Sequence, residues 1–339
     1  MCQQLTASER EQILLYLNDP ASFTHYTAPA IFMHPINTIL YCACFNGIIQ
    51  LAQYVPNNSS INWNEALKFA CMGGHRDLVD FVITRGATLY DIGLYGACLG
   101  GHRELMDMMG ARGLRDWDGC GITGACVSGN REVVDFVISH GITNWDNGLA
   151  GACLGGHREL VDLMIAKGAS DWDRGLMNAC ECGNLELAEL MLSHGATEYN
   201  GGLRTACSAG NRALVDLMIT RGATDWNGAL EYAAFGNHPE LVDLAITHGA
   251  TSWNEGMRGA CQRGNGALVD LMIAKGATDW NGGLYCARSA GYTALANIMI
   301  SHGAVVDIIE EPAPVVSEEP APVVSEEPAP VQDAPDITE

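Results

Sequence analysis

The sequence predicts an all-α solenoid of about ten helix-turn-helix repeats, and three observations predict it. An aromatic residue returns every 27 residues: Trp63, Trp117, Trp145, Trp172, Trp226, Trp253 and Trp280, with Tyr90 and Tyr199 in the gaps and one step, Trp117 to Trp145, of 28. A fixed period of that length marks a stacked repeat array. Within each period, apolar residues fall at helical spacing twice. Each of the two apolar runs closes at a glycine, a natural helix stop.

Residues 1–35 precede the repeats and do not share their pattern. Ser8-Glu9-Arg10-Glu11 fits a capping box, with Ser8 as N-cap and Glu11 three residues on. Ile13, Leu14 and Leu17 then predict an amphipathic helix, stopped by Asn18-Asp19-Pro20. Its expected role is a helical cap over the first repeat. Leu5 through Phe23 also faintly resembles the start of an F-box, with Thr6 where the usual proline stands. That resemblance implies an alternative role, a substrate adaptor for a ubiquitin ligase acting through residues 1–35.

The repeat array is expected over residues 36–306, and the unit Trp145–Asp171 shows it best. Leu149, Ala152 and Cys153 form the apolar stripe of a short first helix, which Gly156 ends. His157 opens the second helix, and Asn130, Asn184, Asn211 and Asn265 hold that place in other repeats, which predicts an N-cap role. Leu160, Val161, Leu163, Met164 and Ile165 give the second helix a broad apolar face, and Gly168 ends it. Lys167 sits in the last turn, where a cation suits the negative end of the helix dipole. Neither helix can bury its face alone, so neighbours must stack.

The leading apolar residues of the ten units are Leu40, Leu67, Leu94, Ile122, Leu149, Leu176, Leu203, Leu230, Met257 and Leu284. The end repeats are atypical, as capping repeats should be. Pro56 breaks the second helix of the first unit, and Arg288 and Asn297 replace the usual cysteine and aspartate in the last. In the third unit, Gly110 replaces the usual isoleucine and Leu114 the usual alanine, and Cys120 lies near the one-residue insertion. These three irregularities predict a hinge.

The run Ala-Cys-x-x-Gly-His-x-Glu-Leu-Val-Asp-Leu-Met-Ile-x-x-Gly-Ala resembles the helix-turn-helix half of an ankyrin repeat. Two departures stand out. Gly148-Leu149 or Ala229-Leu230 stands where the Thr-Pro-Leu-His turn is usual, and the connector that builds projecting fingers is cut to Thr-Asp-Trp-Asn-x-Gly. The chain therefore resembles a finger-less ankyrin array, of the kind abundant in giant viruses and protists. The resemblance implies protein binding on a concave face lined by the first helices.

After the array, residues 307–339 repeat Glu-Glu-Pro-Ala-Pro-Val-Val-Ser, a composition that predicts a disordered, acidic spacer. Ser317 and Ser325, each followed by two glutamates, are candidate phosphorylation sites.

Composition narrows the function classes. The net charge is −22, and ten of the 40 acids but none of the 18 bases lie after Gly303. Such an array is a poor nucleic-acid binder, since phosphate contacts need clustered Lys and Arg. Over long range its charge favours a basic partner. No stretch is apolar enough to span a membrane and no secretory signal opens the chain, so membrane association is not expected. Cys44, Cys71, Cys98, Cys126, Cys153, Cys180, Cys207 and Cys261 recur at one helix position and read as small buried hydrophobes. Neighbouring repeats lie ~10 Å apart, too far for a disulfide. Free thiols fit a reducing, cytoplasmic compartment, or the host cytoplasm for a viral chain.

No residue pattern predicts catalysis, a metal, a cofactor or a small-molecule substrate. Asp80, Asp107, Asp135, Asp162, Glu189, Asp216, Asp243 and Asp270 recur at one place and read as a solvated face. Arg76, Arg103, Arg131, Arg158 and Arg212 lie four residues before such acids and predict i,i+4 pairs. His75, His102, His157 and His238 alternate with asparagine and read as caps rather than metal ligands. The tryptophan ladder reads as structural, each ring covering the seam between adjacent repeats.

Recognition should vary from repeat to repeat. The varied first-helix positions include Lys68, Phe69, Tyr95, Met177, Arg204 and Tyr285, and Gly96, Gly124, Gly151 and Gly259 are expected to lower the groove floor. The best candidate patch is Glu231, Tyr232, Phe235, Arg258, Gln262 and Arg263, because aromatic and arginine residues dominate interface hot spots. The sequence thus predicts a non-enzymatic protein-interaction scaffold, with the ubiquitin-ligase adaptor and a self-assembling structural component as alternatives.

Overall fold

The computed structural model describes residues 5–6, 9, 11, 13, 36–57, 61–113 and 116–305. By internal contacts the chain divides into Met1–Ala304 and Val305–Glu339, and only Val305 of the second unit is described. The expected tail repeats with Ser317 and Ser325, most of the N-terminal cap and Leu114 therefore lie outside the described residues.

The described residues form an all-α, ankyrin-like helix-turn-helix solenoid of ten helix pairs, with no strand. Repeats 1 to 5 pair Ile36–Asn46 with Ile49–Tyr54, Trp63–Gly73 with Arg76–Thr84, Tyr90–Gly100 with Arg103–Arg112, Ile122–Ser128 with Arg131–Ile138, and Trp145–Gly155 with Arg158–Lys167. Repeats 6 to 10 pair Trp172–Cys182 with Leu185–His194, Tyr199–Ala209 with Arg212–Thr220, Trp226–Gly236 with Pro239–Thr247, Trp253–Arg263 with Gly266–Lys275, and Trp280–Ser289 with Thr293–Ser301. One continuous apolar core runs through the stack, built from the stripes read in the sequence: Leu149, Ala152, Cys153, Leu160, Val161 and Met164 are all buried in repeat 5.

The turns follow from glycine. Gly156 takes φ 75° and its N–H closes the first helix on Ala152 and Cys153. Repeat 8 manages the same left-handed turn with Asn237 at φ 64°, the residue type that tolerates it best after glycine. The end repeats are altered as expected: the second helix of repeat 1 stops at Tyr54 with Val55 extended, and Arg288 and Asn297 are exposed.

First helices of successive repeats pack directly on one another, whereas the backbones of successive second helices stand farther apart. Glycine sets the close approach. A Cβ on Gly151 would lie 2.5 Å from the Thr123 carbonyl oxygen, and one on Gly96 2.3 Å from that of Lys68. Gly96, Gly124, Gly151 and Gly259 are all buried in this contact. They are thus seams between backbones, and of the four only Gly259 also lines one of the hollows described below. We expect Gly151→Ala to destabilise by about 3 kcal/mol, because backbone cannot yield as a side chain does. A chemical-denaturation midpoint equal to wild type would disprove the contact.

Three other expectations are corrected. The capping box sits two residues earlier than read: Thr6 N–H donates to the Glu9 carboxylate at 2.8 Å and Glu9 N–H to the Thr6 hydroxyl at 3.2 Å. Nearby, Leu5 N–H donates to the buried Asn46 side chain at 2.7 Å, and Ile13 is buried. The histidines are not caps. Asn130, Asn184, Asn211 and Asn265 do accept backbone N–H groups at their helix starts, but none of His75, His102, His157 and His238 does. Instead the Nε2–H of His102, His157 and His238 donates to the carbonyls of Met72, Val127 and Ser208 in the preceding repeat, at 3.2, 3.1 and 3.1 Å. Asparagine can do both: Asn211 caps Leu214 through Oδ1 and donates its Nδ2–H to the Gly183 carbonyl of the preceding repeat at 3.0 Å.

The third correction concerns the irregular repeat. The inserted residue is absorbed by a π-helical turn at Trp117–Gly121, which Asp116 caps by accepting the N–H groups of Gly119 and Cys120, both at 2.9 Å. Gly110 is the seat of the Trp117 ring: a Cβ there would meet the indole at 2.6 Å. The space left by the missing side chain is therefore occupied by a ring of the next repeat, where the sequence alone suggested a gap.

Candidate functional site

The six candidate residues come together where repeats 8 and 9 meet. Glu231, Tyr232 and Phe235 project from Trp226–Gly236, and Arg258, Gln262 and Arg263 from Trp253–Arg263. Repeat spacing plus helical period brings them to two adjoining hollows. One, of about 270 Å³, is lined by Glu231, Tyr232, Phe235, Arg258, Gly259, Gln262 and Cys286. The other, of about 290 Å³, is lined by Phe235, Gln262, Arg263, Ser289 and Ala290. Phe235 and Gln262 are shared by both.

The two arginines differ in kind. Arg258 donates to Asp279 at 3.2 Å and to Glu255 at 2.9 Å. Desolvation opposes its charge, but the Asp279 hydrogen bond and the carboxylates of Glu255, Asp279 and Glu231 outweigh it and hold the guanidinium above its ordinary pKa. Its charge is already spent inside the array. Arg263 instead lies 4.2 Å over the Phe235 ring, with its Nε–H donating to the Phe235 carbonyl at 3.1 Å. Tyr232 is 38% exposed, and Tyr285, in the first helix of repeat 10, is 74% exposed.

The tryptophan ladder lies elsewhere on each unit. Each stacking partner lies in the same repeat, at the end of the second helix: His140 on Trp117 at 3.9 Å, His194 on Trp172 at 4.5 Å, His248 on Trp226 at 3.9 Å and His302 on Trp280 at 4.6 Å. Arg85 covers Trp63 and Lys167 covers Trp145 at 5.7 and 5.6 Å. Trp63 and Trp117 are buried, whereas Trp145, Trp172, Trp226, Trp253 and Trp280 are half-buried.

One recurrent element escaped the sequence reading. The residue after the tryptophan or tyrosine is always Asn or Asp, and in seven repeats its side chain reaches the connector that follows the same repeat. Asn200 accepts the N–H groups of Thr224 and Asp225 at 2.8 and 3.0 Å, and Asn64, Asp118, Asp146, Asp173, Asn227 and Asn254 do the same in their own repeats. This fork ties each connector to the start of its own repeat. The dipeptide was visible as a repeat feature, but only the fold brings residues 24 and 25 positions apart together. Asn200→Ala should cost about 1 kcal/mol, the usual net worth of such bonds, while Asn200→Asp should stay near wild type because Asp173 already does this work. Equal midpoints for the alanine and aspartate variants would remove the fork from the account.

The acid ladder is exposed, and Arg76, Arg131, Arg158 and Arg212 pair with the acids four residues on at 3.1, 2.9, 3.0 and 2.9 Å. Arg103 departs from that expectation and lies 4.9 Å over the Phe136 ring of the next repeat. The described cysteines are free. Burial pushes the thiols of Cys71, Cys98, Cys126, Cys153, Cys180, Cys207 and Cys261 up to about 12. Among the described residues, no group of three or more His, Cys, Asp or Glu could hold a metal, and no helix is long and apolar enough to cross a membrane.

No family model matches this chain, and no curated protein matches it. Among solved structures it is similar to the ankyrin repeat domain of human ASB11, at 18% identity and a TM-score of 0.36, over 55% of this chain and 98% of that one.

Proposed function

We propose that this chain is a non-enzymatic protein-binding scaffold that holds its partner on the first-helix face, at repeats 8 and 9. The observation that carries the proposal is the convergence of Glu231, Tyr232, Phe235, Arg258, Gln262 and Arg263 on two adjoining hollows. These positions vary between repeats while the core does not, as expected of a surface that recognises something specific. Tight packing on the first-helix side supports the same face, because the shorter side of a curved stack is its concave one. Concave, aromatic-rich and arginine-bearing surfaces are where binding energy concentrates.

The test is affinity purification from the native cell with the intact chain and with a Tyr232/Phe235/Arg263 triple-alanine variant, read by mass spectrometry. A partner lost only with the variant is the expected result. A partner retained by both would move the binding site to residues 1–35 or 307–339. Recovery of the chain alone would favour self-assembly.

A further inference from the structure

The hollows at repeats 8 to 10 also state a charge preference. Three hydrogen-bond donors surround the smaller group of residues: the Arg263 guanidinium, the Gln262 amide and the Ser289 hydroxyl. Arg263 uses only Nε internally and joins no ion pair among the described residues, while Gln262 and Ser289 make no side-chain hydrogen bond there. Phe235 lies beneath Arg263, whose Nη groups make no hydrogen bond among the described residues. A planar fork held on a ring, beside two neutral donors, matches a carboxylate.

The adjoining hollow has the opposite character. Tyr232, Phe235, Gly259 and Cys286 give it an apolar lining, and Glu231 stands on its wall with Arg258 already neutralised by Asp279 and Glu255. A second acid would be repelled there. We infer that the site takes a partner segment carrying one Asp or Glu side chain on Arg263, Gln262 and Ser289, followed by an apolar side chain beside Tyr232 and Cys286. The inference rests on the binding-face reading above and goes beyond it by naming the partner's chemistry. It also runs against the net charge of the chain, which by itself favours a basic partner: the local group next to the bound side chain outweighs a distant, salt-screened field.

The test is selection of a random displayed peptide library on the full chain, followed by affinity measurement of the selected synthetic peptides. The expected consensus holds a single acid next to an apolar residue. Affinity should fall about tenfold or more with Arg263→Glu and with Tyr232→Ala, the range of an interface hot spot, and a fresh selection on Arg263→Glu should replace the acid with Lys or Arg. Peptides that lack an acid, or that lose affinity with Tyr232→Ala but not with Arg263→Glu, would overturn the carboxylate inference and leave the binding face standing. Peptides indifferent to both variants, or no enrichment, would overturn both.

Discussion

Trp117→Ala should cost about 3–5 kcal/mol, the range for emptying a buried aromatic site, and should split the unfolding of the array in two. Trp117 is only 8% exposed, whereas the later ladder rings are half-buried. It also carries more contacts of different kinds than they do. Its ring fills the space left by Gly110 in repeat 3, stacks on His140 at 3.9 Å and meets Phe136 edge-on at 6.1 Å in repeat 4. Removing it strips the seam of repeats 3 and 4 on both sides, at the one place among the described residues where a helix starts with a π turn. In a stack whose repeats touch only their neighbours, a weak seam uncouples the two sides. Hydrogen exchange should then show repeats 1–3 opening apart from repeats 4–10. The comparison is Trp172→Ala, where the half-buried ring should cost about 2–3 kcal/mol and leave one transition. If the two variants lose the same stability and both melt in one step, Trp117 has no special place in the seam.

The repeats were legible because their signal is internal. Ten copies of one unit average out local noise, so helix positions, glycine stops and the buried cysteine row could be read from spacing alone. Contacts between repeats were less legible. That His157 reaches back to Val127, and that Asn211 both caps its own helix and reaches back to Gly183, depends on the spacing between repeats, which the string does not contain. The same holds for Gly151, whose neighbour is a carbonyl 28 residues earlier. The candidate patch was legible as a set of varied positions, but its charge logic was not. Only the fold shows that Arg258 is committed to Asp279 and Arg263 is not.

The array should collapse at alkaline pH through its own cysteines. Seven ladder thiols, Cys71, Cys98, Cys126, Cys153, Cys180, Cys207 and Cys261, are pushed by burial from 9.0 up to about 12. A raised thiol pKa means that the folded state holds the proton more tightly than the unfolded chain. Its contribution is fully present below about pH 9 and is lost as pH rises toward 12. Above pH 9 each thiol that is protonated in the folded state and ionised in the unfolded chain withdraws stability, and seven such thiols act in the same direction. The melting temperature should therefore be level from pH 7 to 8 and fall steeply above 9. Repeat 8 supplies the control, because Ala234 stands at the cysteine position and is fully buried. Alanine thus fits the site, and replacing the seven thiols with alanine should shift the collapse to higher pH. Tyr95, also raised by desolvation, would remain as a smaller alkaline contribution. If the seven-alanine variant follows the wild-type pH curve, the loss comes from the general deprotonation of tyrosines and lysines, and the thiol ladder is only packing.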